Sequence, residues 1–68
     1  MKFTIETEQE VDGRWIAEMP EMSGVLQYGN TRQEAIAQAE ALALRVMAER
    51  IEHGEQPVEP LEITFAAA

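Results

Sequence analysis

Residues 12–54, DGRWIAEMPEMSGVLQYGNTRQEAIAQAEALALRVMAERIEHG, decide the fold. Their centre is Thr31-Arg32-Gln33-Glu34, a capping box. The Thr31 hydroxyl can accept from the Glu34 amide, and the Glu34 carboxylate can reach back to the Thr31 amide. Ala35, Ile36, Ala39, Leu42, Ala43, Val46, Met47 and Ile51 follow at helical spacing, interrupted only by Arg50 near the end, where a cation suits the helix dipole. Gly54 is the expected residue just past the helix. The spacing predicts a helix of about 22 residues, about 33 Å long. Its alanines allow close approach to a sheet.

Upstream, the period changes to two. Phe3, Ile5 and Thr7 alternate with Thr4, Glu6 and Glu8, which predicts a half-buried antiparallel strand over residues 2–10. Val11-Asp12-Gly13 signals a turn. Residues 14–19 form the return strand, with Trp15, Ala17 and Met19 on one face and Ile16 and Glu18 on the other. Pro20 ends it, because proline cannot donate to a ladder. After the loop 21–24, residues 25–28 form a third strand, closed by Gly29-Asn30. Downstream of the helix, Pro57 and Pro60 bracket a stiff connector. Leu61, Ile63 and Phe65 then alternate with Glu62 and Thr64 as a fourth strand. Ala66 to Ala68 are expected to fray.

Strand, strand, strand, helix, strand defines an α+β fold of β-β-β-α-β type. A right-handed crossover places the last strand parallel to the first and beside it. The expected sheet is mixed, in order 3-2-1-4, with one helix on one face, the other face open and both edges exposed.

The 68 residues make a single domain, 1–68, that buries little apolar surface. Hydrophobic residues are 46% of the chain, but ten are alanine, so the core is thin. There is no cysteine to form a disulfide or a zinc thiolate. Self-association into a homodimer or tetramer is therefore expected, since a second subunit adds burial. The formal charge of −8 repels phosphate, which argues against direct nucleic-acid binding and suits a basic protein partner. No apolar run is long enough to span a bilayer, and the N-terminus MKFTIETEQE lacks the apolar core of a signal peptide. A cytoplasmic protein is expected.

Few residues can carry chemistry. His53 sits in the last helical turn, where an imidazolium complements the dipole. Thr31 is a cap, and Ser23 has no base nearby in sequence. Glu6, Glu8 and Glu10 share one strand face, and Glu18 can lie across from one of them. Such a row is ordinarily solvated or guards an edge, so neither a metal nor another cofactor is expected. Gly24 and Gly29 lack the lysine of a phosphate loop. Trp15 is either a core residue or an interface anchor, and so is Tyr28.

Asp12-Gly13, Trp15, Ile16-Ala17, Pro20, Met22, Gly24, Gly29, Thr31, Glu34 and Ala35 stand in an order that resembles the HicB-type antitoxins of bacterial toxin–antitoxin pairs. That family runs from an acidic strand and a glycine turn to an aromatic, then P-x-hydrophobic-x-G, then G-x-T-x-x-E-A into an alanine-rich helix. The resemblance covers about two-thirds of the chain. It implies a partial RNase H-like fold without nuclease activity. It also implies that the domain binds a small basic toxin that cleaves messenger RNA. Two features depart from the family. The residue after Gly24 is Val25 where cysteine is frequent, and no C-terminal DNA-binding segment follows the fourth strand, so operator binding is not expected.

The leading expectation is an antitoxin-like module that neutralises a small basic RNA-cleaving protein, with no enzymatic activity of its own. Glu6, Glu8, Glu10, Trp15, Glu18 and Tyr28 are its candidate partner-binding residues. Ile16, Leu26 and Tyr28 are candidates for self-association. The alternatives are a self-assembling structural or ligand-sensing domain with no toxin, and a metal-dependent hydrolase using Glu6, Glu8 and Glu18.

Overall fold

The computed structural model describes residues 1–55 and 60–68. Its elements are β1 (Lys2–Gln9), β2 (Trp15–Glu18), β3 (Leu26–Gly29), α1 (Arg32–Glu52) and β4 (Thr64–Ala67). The sheet runs β3-β2-β1-β4, with β1–β2 and β2–β3 antiparallel and β1–β4 parallel. This is the α+β architecture and strand order expected from the sequence. The connector expected from Pro57 falls on residues 56–59, outside the described residues.

Each turn is made by the chemistry its residues allow. At the β1–β2 turn, Gly13 has φ +92°. The Asp12 carboxylate accepts from the Arg14 amide at 3.0 Å and from its guanidinium at 2.8 Å, locking the turn from its side chain. The β2–β3 connection folds inward. Met22 is 2% exposed there, and its amide donates to the Met19 carbonyl while its carbonyl accepts from Val25. Pro20 thus ends the ladder, Met22 plugs the core and Gly24, at φ +86°, turns the chain back. Where β2 has ended, the Thr4 amide of β1 has no strand partner. It donates instead to both oxygens of the Glu21 carboxylate, at 3.1 Å.

The helix begins at its predicted cap: the Glu34 amide donates to the Thr31 hydroxyl oxygen at 3.0 Å. It ends in a Schellman arrangement, with Gly54 N–H donating to Ile51 and Glu55 N–H to Arg50, and Gly54 at φ +69°. Ala35, Ala39, Ala43 and Met47 form its buried stripe. They pack on Phe3, Ile5, Ala17, Met19, Met22 and Val25 to make the core. The closest approach is at Gly29. A Cβ built there would stand 2.4 Å from the Ala35 amide nitrogen. The first turn of α1 therefore rests directly on the backbone of β3.

Three expectations are corrected. Ile51 is not in the core stripe; it is 51% exposed. Successive i+4 steps rotate by about 40°, so the stripe from Ala35 has turned away from the sheet by its fourth step. β3 starts one residue later than expected, with Val25 buried just before it. The fourth strand is Thr64–Ala67, later than expected, and the alanines do not fray: Ala66 pairs with Thr4, Ala67 pairs with Ile5, and Ala68 N–H donates to the Ile5 carbonyl at 2.9 Å. Leu61 and Ile63 instead pack on the rim of the core. The register follows Phe3 beside Phe65, whose rings lie 6.1 Å apart, and the ladder beyond needs no side chains. Arg32 secures this end by donating to the Thr7 hydroxyl (3.1 Å) and the Ala68 carbonyl (3.0 Å).

Gly29→Ala should be the most damaging alanine substitution at a glycine, costing about 3 kcal/mol or more, because the added methyl meets backbone and not a movable side chain. Thr31→Ala should cost about 1 kcal/mol and lower Tm by several degrees. Urea titration of both variants checks this order; a Gly29→Ala variant no weaker than Thr31→Ala would disprove the close contact.

The Glu21 carboxyl is held below its ordinary value by its own backbone N–H and then by that of Thr4. A carboxyl whose folded value is depressed adds stability above its unfolded value and loses it as pH falls through the folded one. Glu21→Ala should therefore be less stable than the parent chain at pH 7. The gap should close as the pH falls below about 4, which is read from melting curves across pH.

Candidate partner-binding face

The alternation of β1 and β2 sends Ala17 and Ile5 into the core and their neighbours to the other side of the sheet, which the helix leaves uncovered. Register defines that face. Glu8, Ile16 and Tyr28 form one row across three strands, and Glu6, Glu18 and Leu26 form the next. Glu6, Thr7, Glu8, Ile16 and Glu18 line a shallow, open depression of about 210 Å³.

Glu6 and Glu18 are directly opposed across the β1–β2 ladder, and Glu8 stands diagonally beside them. All three are exposed. Like charges opposed on adjacent strands destabilise a sheet. Among the described residues, none of the three takes part in a salt bridge; the ion pair is Arg14–Asp12 at 2.8 Å, and His53 Nδ1 lies 3.9 Å from the Glu55 carboxylate. Beside the carboxylates lie Ile16, half-buried, and Leu26 and Tyr28, 38% and 43% exposed. The face is thus a small apolar strip bordered by unneutralised negative charge. Such a strip can seat an apolar side chain while its border holds lysine or arginine.

Six of the sequence candidates therefore share this face: Glu6, Glu8, Ile16, Glu18, Leu26 and Tyr28. Two do not. Trp15 lies opposite Gly29 on the helix-covered side, half-buried and packed on the core. Glu10 lies just past β1, where its amide donates to the Arg14 carbonyl at 2.7 Å. One residue of the face was not singled out from the sequence. The Arg14 guanidinium lies 4.7 Å from the centre of the Tyr28 ring, a cation–π contact that holds the ring's outer end of the strip. Its parity with Ile16 and Glu18 was the available signal. Arg14, through its backbone N–H and then its guanidinium, also holds the Asp12 carboxyl below its ordinary value. Among the described residues, no group of three or more His, Asp or Glu side chains is arranged to hold a metal ion, and no helix is long and apolar enough to cross a membrane. His53 is the C-cap of α1.

Comparison with protein-family models, with curated proteins and with solved structures gave no match.

Relieving the Glu6–Glu18 opposition should stabilise the fold. Glu18→Gln should raise the urea midpoint at low salt, a gain in unfolding free energy of a few tenths of a kcal/mol at most for so exposed a pair, and the gain should shrink at 1 M salt. A lower midpoint at low salt would show that Glu18 contributes to folding.

Proposed function

We propose that this chain is a non-catalytic binding module of the HicB antitoxin kind, whose uncovered sheet face covers a small basic RNA-cleaving protein. One observation carries the reading: among the described residues Glu6 and Glu18 are opposed with no cation bridging them, beside half-buried Ile16 and exposed Leu26 and Tyr28. A fold gains nothing from that opposition, whereas a cationic partner turns it into attraction. The net charge of −8 speeds encounter with such a partner and disfavours nucleic acid as the direct ligand. The motif from Asp12 to Ala35 supports the same reading through the family it resembles.

In co-expression, a short basic protein encoded beside this chain should copurify with it at low salt. A Glu6→Lys, Glu18→Lys variant should release that protein while retaining the parent's circular dichroism. No such neighbouring reading frame, or a complex indifferent to the charge reversal, would count against the proposal. So would magnesium-dependent RNA cleavage by the purified chain alone.

A further inference from the structure

β3 is one edge of the sheet, and its hydrogen-bonding pattern is fixed by its neighbours. Met19 N–H donates to the Val25 carbonyl at 3.0 Å, and on the next ladder Glu10 N–H donates to the Arg14 carbonyl at 2.7 Å. Antiparallel ladders alternate hydrogen-bonded and non-hydrogen-bonded pairs. Counting from both anchors gives the same phase: Gln27 and Gly29 bond inward to β2. The amides and carbonyls of Leu26 and Tyr28 are left on the free edge. The same two residues carry exposed apolar side chains, both on the uncovered face.

Natural edges are blunted by charge, proline or a bulge. β3 reads Leu-Gln-Tyr-Gly, with no charge and no proline, although the chain carries −8 overall. β1 and β2 both bear glutamates. The opposite edge, β4, is also uncharged, but it offers only threonine, alanine and the already packed Phe65.

We infer that two copies of the chain join by antiparallel pairing of their β3 edges, in a two-fold register centred on Gln27. In that register Leu26 faces Tyr28 of the second copy, and Tyr28 faces Leu26 of the second copy. Both are outward-bonding positions, so the free amides and carbonyls of one edge meet those of the other. A shift by one residue centres the axis on Leu26 or Tyr28, pairs that residue with itself and pushes half of these groups beyond the strand. The centred register also lays each exposed leucine against a tyrosine ring, and it sets no carboxylate of β1 or β2 directly across the new ladder. It joins the sheets of the two copies into one of eight strands. Glu6 and Glu18 in each copy lie away from the new ladder, while Leu26 and Tyr28 belong to both surfaces; the pairing rests on the free backbone groups of β3 and not on the partner proposed above. A second copy is favoured over a foreign strand because the edge is complementary to itself under two-fold symmetry.

The chain has no cysteine, so a single introduced thiol reports the register. Gln27 would face its own symmetry mate as a non-hydrogen-bonded pair, where Cβ atoms come within about 4.5–5.5 Å and a disulfide can close with small adjustment. Under mild oxidation Gln27→Cys should form a covalent dimer with unchanged circular dichroism. Gln9→Cys, on β1, should remain uncrosslinked under the same conditions. The unmodified chain should sediment at twice 7.6 kDa at tens of micromolar. Sedimentation at the single-chain mass would overturn the inference. So would Gln27→Cys cross-linking no faster than Gln9→Cys, faster cross-linking of Leu26→Cys or Tyr28→Cys, or cross-linking only to a different protein.

Discussion

The backbone contact between Gly29 and Ala35 is the constraint on which the rest of the structure depends. Strand β3 and helix α1 are joined by only two residues, Asn30 and Thr31, so the chain must reverse almost on itself. It can do so only if nothing projects from residue 29 toward the helix. With that space clear, the Thr31 cap aims the helix and Ala35, Ala39 and Ala43 keep it close to the sheet. Small residues on both sides substitute proximity for volume. Dispersion contacts from the nearby backbone then stand in for the large side chains that a core of this size lacks.

The sheet divides its labour by face. The helix-covered side holds the interior, including Trp15, and the uncovered side holds nearly everything that is energetically unnecessary to the fold. A carboxylate placed opposite another carboxylate is a local conflict, and local conflicts in natural sequences tend to mark places selected for something other than stability. The conflict at Glu6 and Glu18 gives the functional proposal its physical content. It lies on ladder positions of the sheet, so the geometry that the proposed partner would meet is set by the fold itself.

Where sequence and structure agree, the signals were local. The Thr31 cap, Gly54, the Gly13 turn and the alternation along β1 each involve residues within a few positions of one another, and the strand order followed from short turns between successive strands and the handedness of one crossover. The misreadings came from effects that span the chain. The alanine tail has no side-chain pattern to announce a strand, because its ladder is made by backbone groups of a β1 segment far away in sequence. Met22 looked like a loop residue because its burial depends on how the loop folds over the core. Ile51 followed the helical spacing, but the spacing drifts off the face. On the candidate face, parity alone grouped Ile16 with Glu18 and Leu26 with Tyr28. Parity also set Trp15 with Ala17 and Met19 on the opposite side; the adjacency of the face residues across strands and the Arg14 stack depend on register, which periodicity does not specify.

The parallel pairing of β1 with β4 has a kinetic meaning. It joins Lys2 to Thr64, so it is the most non-local ladder in the fold, whereas the hairpins and the β3–α1 unit close over short distances. The entropy of closing a loop grows slowly, by about 0.6 kcal/mol per doubling of length, but non-local closure slows folding more than it weakens the folded state. During synthesis the three antiparallel strands and the helix can assemble first, leaving the outer edge of β1 bare until the last strand emerges from the ribosome. Lys2, the one charged residue of the β1 segment that this ladder covers, puts a cation on the bare edge, and charge on an edge discourages chance strand pairing during the interval.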